Sequence, residues 1–166
     1  LNFLNSFVAC VSMFIFYDLF YTVFHRSLHH RSVYKFVHKH HHRQKAPSRG
    51  NNDAVNVHPL EFLIGEYNHI FCMILVGNFV THIHFISAIV FVVFGGFLAS
   101  LNHTRFDLRI GSIYQVRFHD MHHWYPDCNF GQYTMFWDKT MGTFKNFPIE
   151  SDGSDFGHAS SGKKSI

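Results

Sequence analysis

From Tyr67 to Thr104 the chain carries no Asp, Glu, Lys or Arg, a run of 38 residues, and residues 1–24 hold a single charge, Asp18. No basic residue lies between Arg49 and Arg105. Cysteine is scarce too: Cys10, Cys72 and Cys128 are too few and too scattered for a disulfide scaffold. The net charge of +3 is too small an excess for a charge-driven nucleic-acid binder. A hydrophobic fraction of 47% excludes a disordered chain. With 166 residues there is room for one compact domain or one small membrane module. The first residue is Leu1 rather than a methionine, so the chain reads as a piece of a longer protein.

The uncharged stretches have lengths that matter. Of residues 1–24, 18 are apolar, and as a helix they reach about 36 Å, enough to cross a hydrocarbon core of roughly 30 Å. A buried helix of a soluble protein would suit Asn2, Asn5 and Asp18, but not the apolar segment that follows. One straight helix over Tyr67–Thr104 would span about 57 Å, so that segment has to fold back. The polar break Thr81-His82-Ile83-His84 is the natural tip, leaving arms near 62–80 and 85–101; an in-plane or re-entrant hairpin is the alternative. Two passes return the chain to its starting side, so the two basic blocks, Arg26 to Arg49 and Arg105 to Lys164, share a compartment, the cytosol by the positive-inside rule. The stretch from Pro148 on is rich in Ser and Gly and reads as a disordered tail. It ends in Lys163-Lys164, a pattern similar to the retrieval signal of endoplasmic-reticulum membrane proteins. The expected organisation is a transmembrane helix (1–24), a cytosolic cap segment (25–61), a transmembrane hairpin (62–101), a second cap segment (102–147) and the tail (148–166). The fold class is an all-α integral membrane protein with a helical, histidine-rich cytosolic cap.

What the chain has in excess is 21 Phe and 16 His, and the histidines cluster where it leaves the apolar stretches. His25 and His29, four apart, share a helical face; His38, His41 and His42 are expected to converge, as are His119, His122 and His123. Imidazole is neutral near pH 7 and keeps one nitrogen free for Fe, Zn, Cu or Ni. Eight or more such ligands exceed one tetrahedral site and suit two six-coordinate ions with open positions. For one pair alone, a basic helix lying among headgroups would be the better reading. A histidine-rich membrane metal-binding or metal-transport protein without oxygenase activity is the alternative function.

Taken with His58-Pro59-Leu60-Glu61, Asn102-His103, Asn129-Phe130-Gly131-Gln132-Tyr133, Trp137-Asp138-Lys139 and Gly142-Thr143, these boxes resemble the fatty acid hydroxylase/sterol desaturase superfamily from about residue 18 to 147. The resemblance implies an endoplasmic-reticulum enzyme with two Fe ions, using O₂ and electrons from NAD(P)H through cytochrome b5 to hydroxylate or desaturate a sterol or fatty acyl lipid. It implies the ligands His25, His29, His38, His41, His42, His103, His119, His122 and His123. His30 replaces His29 if the first box is read with a longer gap. His40 lies off the shared face, and His58 is either a ligand or a cap. Members of the superfamily usually carry more hydrophobic sequence upstream, which is expected to be missing here. Carboxylates should orient metal-bound imidazoles; Asp18, Asp120 and Asp127 are the candidates. Asp18 could instead join two spans, and Glu61 and Glu66 share that ambiguity. Trp124, Tyr125 and Trp137 read as interface anchors.

Overall fold

The computed structural model describes residues 2–146, so the expected tail and its Lys163-Lys164 pair lie outside the described residues. Helix α1 (Phe3–Leu28) begins at Asn2, whose side chain accepts the Asn5 N–H. Nothing in its 26 residues interrupts it, for it contains neither Gly nor Pro. Its buried positions Ala9, Met13, Tyr17, Asp18, Thr22, His25 and Leu28 recur every three or four residues, Tyr17 and Asp18 being adjacent, and form one stripe. The short α2 (Arg31–Val37), a 3₁₀ turn (His41–Arg43) and α3 (Asn51–Ala54) lead into α4 (Pro59–Phe79) and α5 (Phe85–Leu101). Two-residue strands β1 (Arg109–Ile110) and β2 (Tyr114–Gln115) pair antiparallel, and α6 (Val116–Trp124) and α7 (Phe136–Met141) complete the cap.

Three histidines outside the metal set serve as helix caps. His30 accepts the Ser32 N–H, His58 the Leu60 N–H ahead of Pro59, and His84 the Ile86 N–H. The first hairpin arm therefore starts at residue 59, three positions earlier than the hydropathy suggested, because His58 and Pro59 supply a cap and a first turn. At 17 residues, α5 is about 26 Å long and falls short of a full crossing, whereas α1 and α4 are long and apolar enough.

Helices α4 and α5 both pack on α1. Phe14 of α1 meets Phe91 and Tyr133 edge-on at 5.1 and 5.2 Å, and Asn68 of α4 donates to the Tyr17 carbonyl. At one end, Asn5 donates to the His82 carbonyl and accepts the Thr81 hydroxyl, so the start of α1 and the hairpin tip lie together. The histidine boxes gather at the other end. Only 28% of the apolar window of α1 and 22% of that of α4 are buried inside the protein, unlike core helices of a soluble domain. Phe7, Ile15, Ile70, Ile74, Val93 and Phe97 point outward, so the three helices present an apolar exterior. Such a surface is stable in lipid rather than in water.

The irregular segment after α6 lies against the middle of α1. The carboxylate of Asp18 accepts the N–H groups of Gln132, Tyr133 and Thr134 at 2.8–3.0 Å, and the Thr134 hydroxyl at 2.6 Å. Asp138 accepts the N–H groups of Phe130 and Gly131 and the Thr143 hydroxyl. Five consecutive amides thus end on two buried carboxylates. Gly131 is required there, because a Cβ would run into the Thr134 carbonyl. Asn129 takes φ 53°, where its side chain bridges Phe118, Lys145 and the backbone. Removing the Asp18 carboxylate leaves three buried amides unsatisfied. Asp18→Ala should therefore lose about 3 kcal/mol or more, and Asp18→Asn, keeping one acceptor oxygen, distinctly less. Thermal midpoints in detergent check this; a wild-type midpoint for Asp18→Ala would show that other contacts hold the segment.

Candidate metal centre

The nine histidines come from five places in the fold. His25 lies in the last turn of α1 and His29 just beyond it; His38 ends α2, and His41 and His42 form the 3₁₀ turn. His103 follows α5, and His119, His122 and His123 lie on α6. They assemble into two groups: His25, His29, His38, His42 and His122 in one, and His41, His103, His119 and His123 in the other. Within each group the ligand nitrogens lie within 4.8 Å of one another. All nine are buried except His29, which is half-buried.

The nitrogens meet tip to tip. Nε2 of His38 lies 3.0 Å from Nε2 of both His25 and His42. In the second group the Nε2 contacts run His41–His103 at 3.3 Å, His103–His119 at 3.1 Å and His119–His123 at 3.1 Å. Metal–imidazole bonds of about 2.0–2.1 Å put neighbouring octahedral ligands about 3 Å apart, so these spacings fit coordination polyhedra. A chain of four such nitrogens at these distances is poorly explained as hydrogen bonding, since neutral rings carry one proton each.

The two triplets do not converge as the sequence suggested. In each, the residues four apart stay together (His38 with His42, His119 with His123) and the third crosses over. His41 joins the second group and His122 the first. The reason is rotational: adjacent residues on a helix point about 100° apart. The doublets His41-His42 and His122-His123 therefore straddle the two groups, and the adjacent histidines are the sequence signal of a binuclear site.

The outer nitrogens show which way the rings are held. Nδ1 of His25 meets the Phe130 carbonyl at 2.8 Å, Nδ1 of His122 the Cys128 carbonyl at 2.7 Å, and Nδ1 of His103 the Ala99 carbonyl at 2.9 Å. These oxygens can only accept, so Nδ1 carries the proton and Nε2 offers its lone pair inward. His38 Nδ1 lies 2.8 Å from Glu61 Oε1, making Glu61 the carboxylate that touches a ligand. None of the three carboxylates expected in this role touches a ligand ring. Asp18 binds backbone amides, Asp120 pairs with Arg105 at 3.0 Å, and Asp127 pairs with Lys145 at 2.9 Å. Backbone carbonyls leave no trace in residue types, which is why the sequence pattern could not find them. His40 lies outside both groups and binds Asn56.

Loop contacts tie the groups together. Gly50, at φ 59° and ψ −121°, takes a backbone conformation open chiefly to glycine and donates its N–H to the His103 carbonyl. Asp53 accepts the Ser48 and Arg49 amides and the Arg49 guanidinium; burial pushes its carboxyl up, but these bonds prevail and hold it at about 2. Lys45 reaches the His123 carbonyl at 3.2 Å.

Burial, and then repulsion from neighbouring imidazoles, holds His41 at a pKa of about 3 and His42 at about 2. The same causes push His38, His119, His122 and His123 down strongly. In an unfolded chain these rings titrate near about 6.5. Below that pH the unfolded state takes up protons that the folded state refuses, so stability is full above about 6.5 and falls as the pH drops. The thermal midpoint of metal-free protein should accordingly decline between about pH 6.5 and 4; a midpoint that rises on acidification would contradict neutral rings. 

Set beside known proteins, residues 10–143 match the family model described as fatty acid hydroxylase. No curated protein and no solved structure matches the chain. The match takes in the nine clustered histidines and the carboxylate-bound segment that supports them, and the chain belongs to the fatty acid hydroxylase family of the histidine-box sterol desaturase/fatty acid hydroxylase superfamily.

Proposed function

We propose that the protein is a membrane-bound non-haem di-iron oxygenase that hydroxylates or desaturates a lipid, either a sterol or a fatty acyl chain. Its electrons come from NAD(P)H through cytochrome b5, and its cap faces the cytosol at the endoplasmic reticulum. The observation that carries this reading is the meeting of inward-facing imidazole nitrogens in groups of five and four. For six-coordinate ions these groups leave one and two positions open. A bound iron pair would supply the O₂ chemistry needed to break an unactivated C–H bond, which offers no handle to side-chain acids and bases.

The chain's own residues do the rest. The carbonyls of Phe130, Cys128 and Ala99 keep protons on the outer nitrogens of His25, His122 and His103, so that the inner lone pairs stay available. Glu61, 2.8 Å from the outer nitrogen of His38, holds that ring in place in the same way. The apolar outer faces of α1, α4 and α5 exclude water and let an apolar substrate arrive sideways. Metal transport is less well supported, because transport sites run through the spans while these rings gather at one end of the helices. Basic residues Arg26, Arg31, Lys35, Lys39, Arg43 and Lys45 run alongside the first two histidine boxes in the sequence, which supports a cytosolic cap.

Single-ligand variants test the reading. His122→Ala should weaken the five-histidine group and His41→Ala the four-histidine group, each lowering bound iron and abolishing lipid oxidation while membrane insertion persists. Iron content by mass spectrometry and lipid profiling read the two effects. Full iron and turnover in either variant would overturn the assignment.

A further inference from the structure

A slot opens between α4 and α5 and ends at the second histidine group. Its volume is about 150 Å³; Phe62, Gly65 and Glu66 line one side, Gly96 and Ser100 the other, and His41 and His103 close its inner end. Two glycines face it for no structural reason visible in the fold. A Cβ on Gly65 or Gly96 would meet nothing within 4 Å, whereas on the adjacent Gly95 it would lie 2.6 Å from the Tyr133 hydroxyl. Gly95 is needed for packing. Gly65 and Gly96 each cost their helix about 1 kcal/mol relative to alanine, and what their missing side chains provide is free space in the slot.

Glu66 is the second unexplained group. It sits on α4, is exposed, lines the slot, and makes no hydrogen bond or ion pair among the described residues. Acidic groups at membrane depth are costly and as a rule face a ligand path. It lies five residues beyond Glu61 on α4, so about 8 Å further from the histidine end. The complement of an unpaired carboxyl group is a hydrogen-bond donor. The volume limits the ligand's shape: a cavity of about 150 Å³ takes a benzene-sized body, enough for a run of a single alkyl chain and too small for a fused-ring nucleus.

Building on the oxygenase reading, we propose that this slot is the substrate's way in, and that it selects a single-chain lipid bearing a hydroxyl group, which Glu66 accepts while the carbon to be oxidised lies beside His41 and His103. Glu66 is then a positioning residue, and the four-histidine group is the one that faces substrate.

The test uses the whole chain, metal-free, in phosphatidylcholine vesicles, with a long-chain primary alcohol carrying a mid-chain diazirine as the probe. After photolysis, peptide mapping should place the label on the α4 and α5 residues that line the slot. Gly65→Leu and Gly96→Leu, whose added atoms enter open space, should each cut labelling about tenfold or more, and Gly96→Ala should not. Unlabelled alcohol should compete about tenfold better than an alkane of equal length, and Glu66→Leu should erase that advantage, the span expected for a hydrogen bond to a charged group. Label found instead on Phe14 or Trp137, which line a separate cavity of about 540 Å³, or undiminished labelling in both leucine variants, would overturn the slot. Equal competition by alcohol and alkane would overturn the hydroxyl, and equal competition by a sterol would overturn the single chain. Iron uptake measured in parallel separates the two claims: a labelled slot in a protein that takes up no iron sinks the oxygenase alone, and iron uptake with an unlabelled slot sinks this proposal alone.

Discussion

Five successive backbone amides, from Phe130 to Thr134, end on the carboxylates of Asp18 and Asp138, and the histidine site depends on that arrangement. The segment is irregular and lies against the middle of an apolar helix, where water cannot satisfy its N–H groups. A carboxylate is the strongest acceptor a side chain can offer, and two of them consume all five donors. Once fixed, the segment presents the Phe130 carbonyl to His25, while the Cys128 carbonyl before it reaches His122. Asp18 therefore acts on the site at a distance, through the shape of a loop.

The second constraint is electrostatic. Nine imidazoles packed this closely can coexist only as neutral rings, because burial and mutual repulsion both oppose protonation. Neutral rings with the outer nitrogen protonated are also the form that binds a transition metal. The packing that makes the cluster intolerant of protons is thus what readies it for cations. Splitting each histidine doublet between the groups places two such sites side by side without a longer ligand-bearing sequence.

Much of the fold could be read from simple patterns. The uncharged runs located α1 and the α4–α5 hairpin to within a few residues, since apolar length is a local property of the chain. The caps were harder: His58 was ambiguous between ligand and cap, and His84 matched no box, because capping depends on one hydrogen bond to a backbone N–H two residues on. The nine histidines that the structure gathers are those the family resemblance picked out. The carboxylates were the weak point. Asp120 sits inside a box yet turns to Arg105, and Asp127 turns to Lys145. Glu61, in a different box, is the one that touches His38.

The sequence by itself determined which stretches are apolar and which histidines pair four apart. Each of these follows from helical periodicity over a few residues. Only the tertiary structure decided which ring joins which group, which oxygen holds each outer nitrogen, and what Asp18 binds. His25 meets Phe130 across 105 residues of chain, and Asp18 meets Gln132 across 114. Contacts at such separations are set by how α1 packs against the closing segment, which local periodicity does not encode.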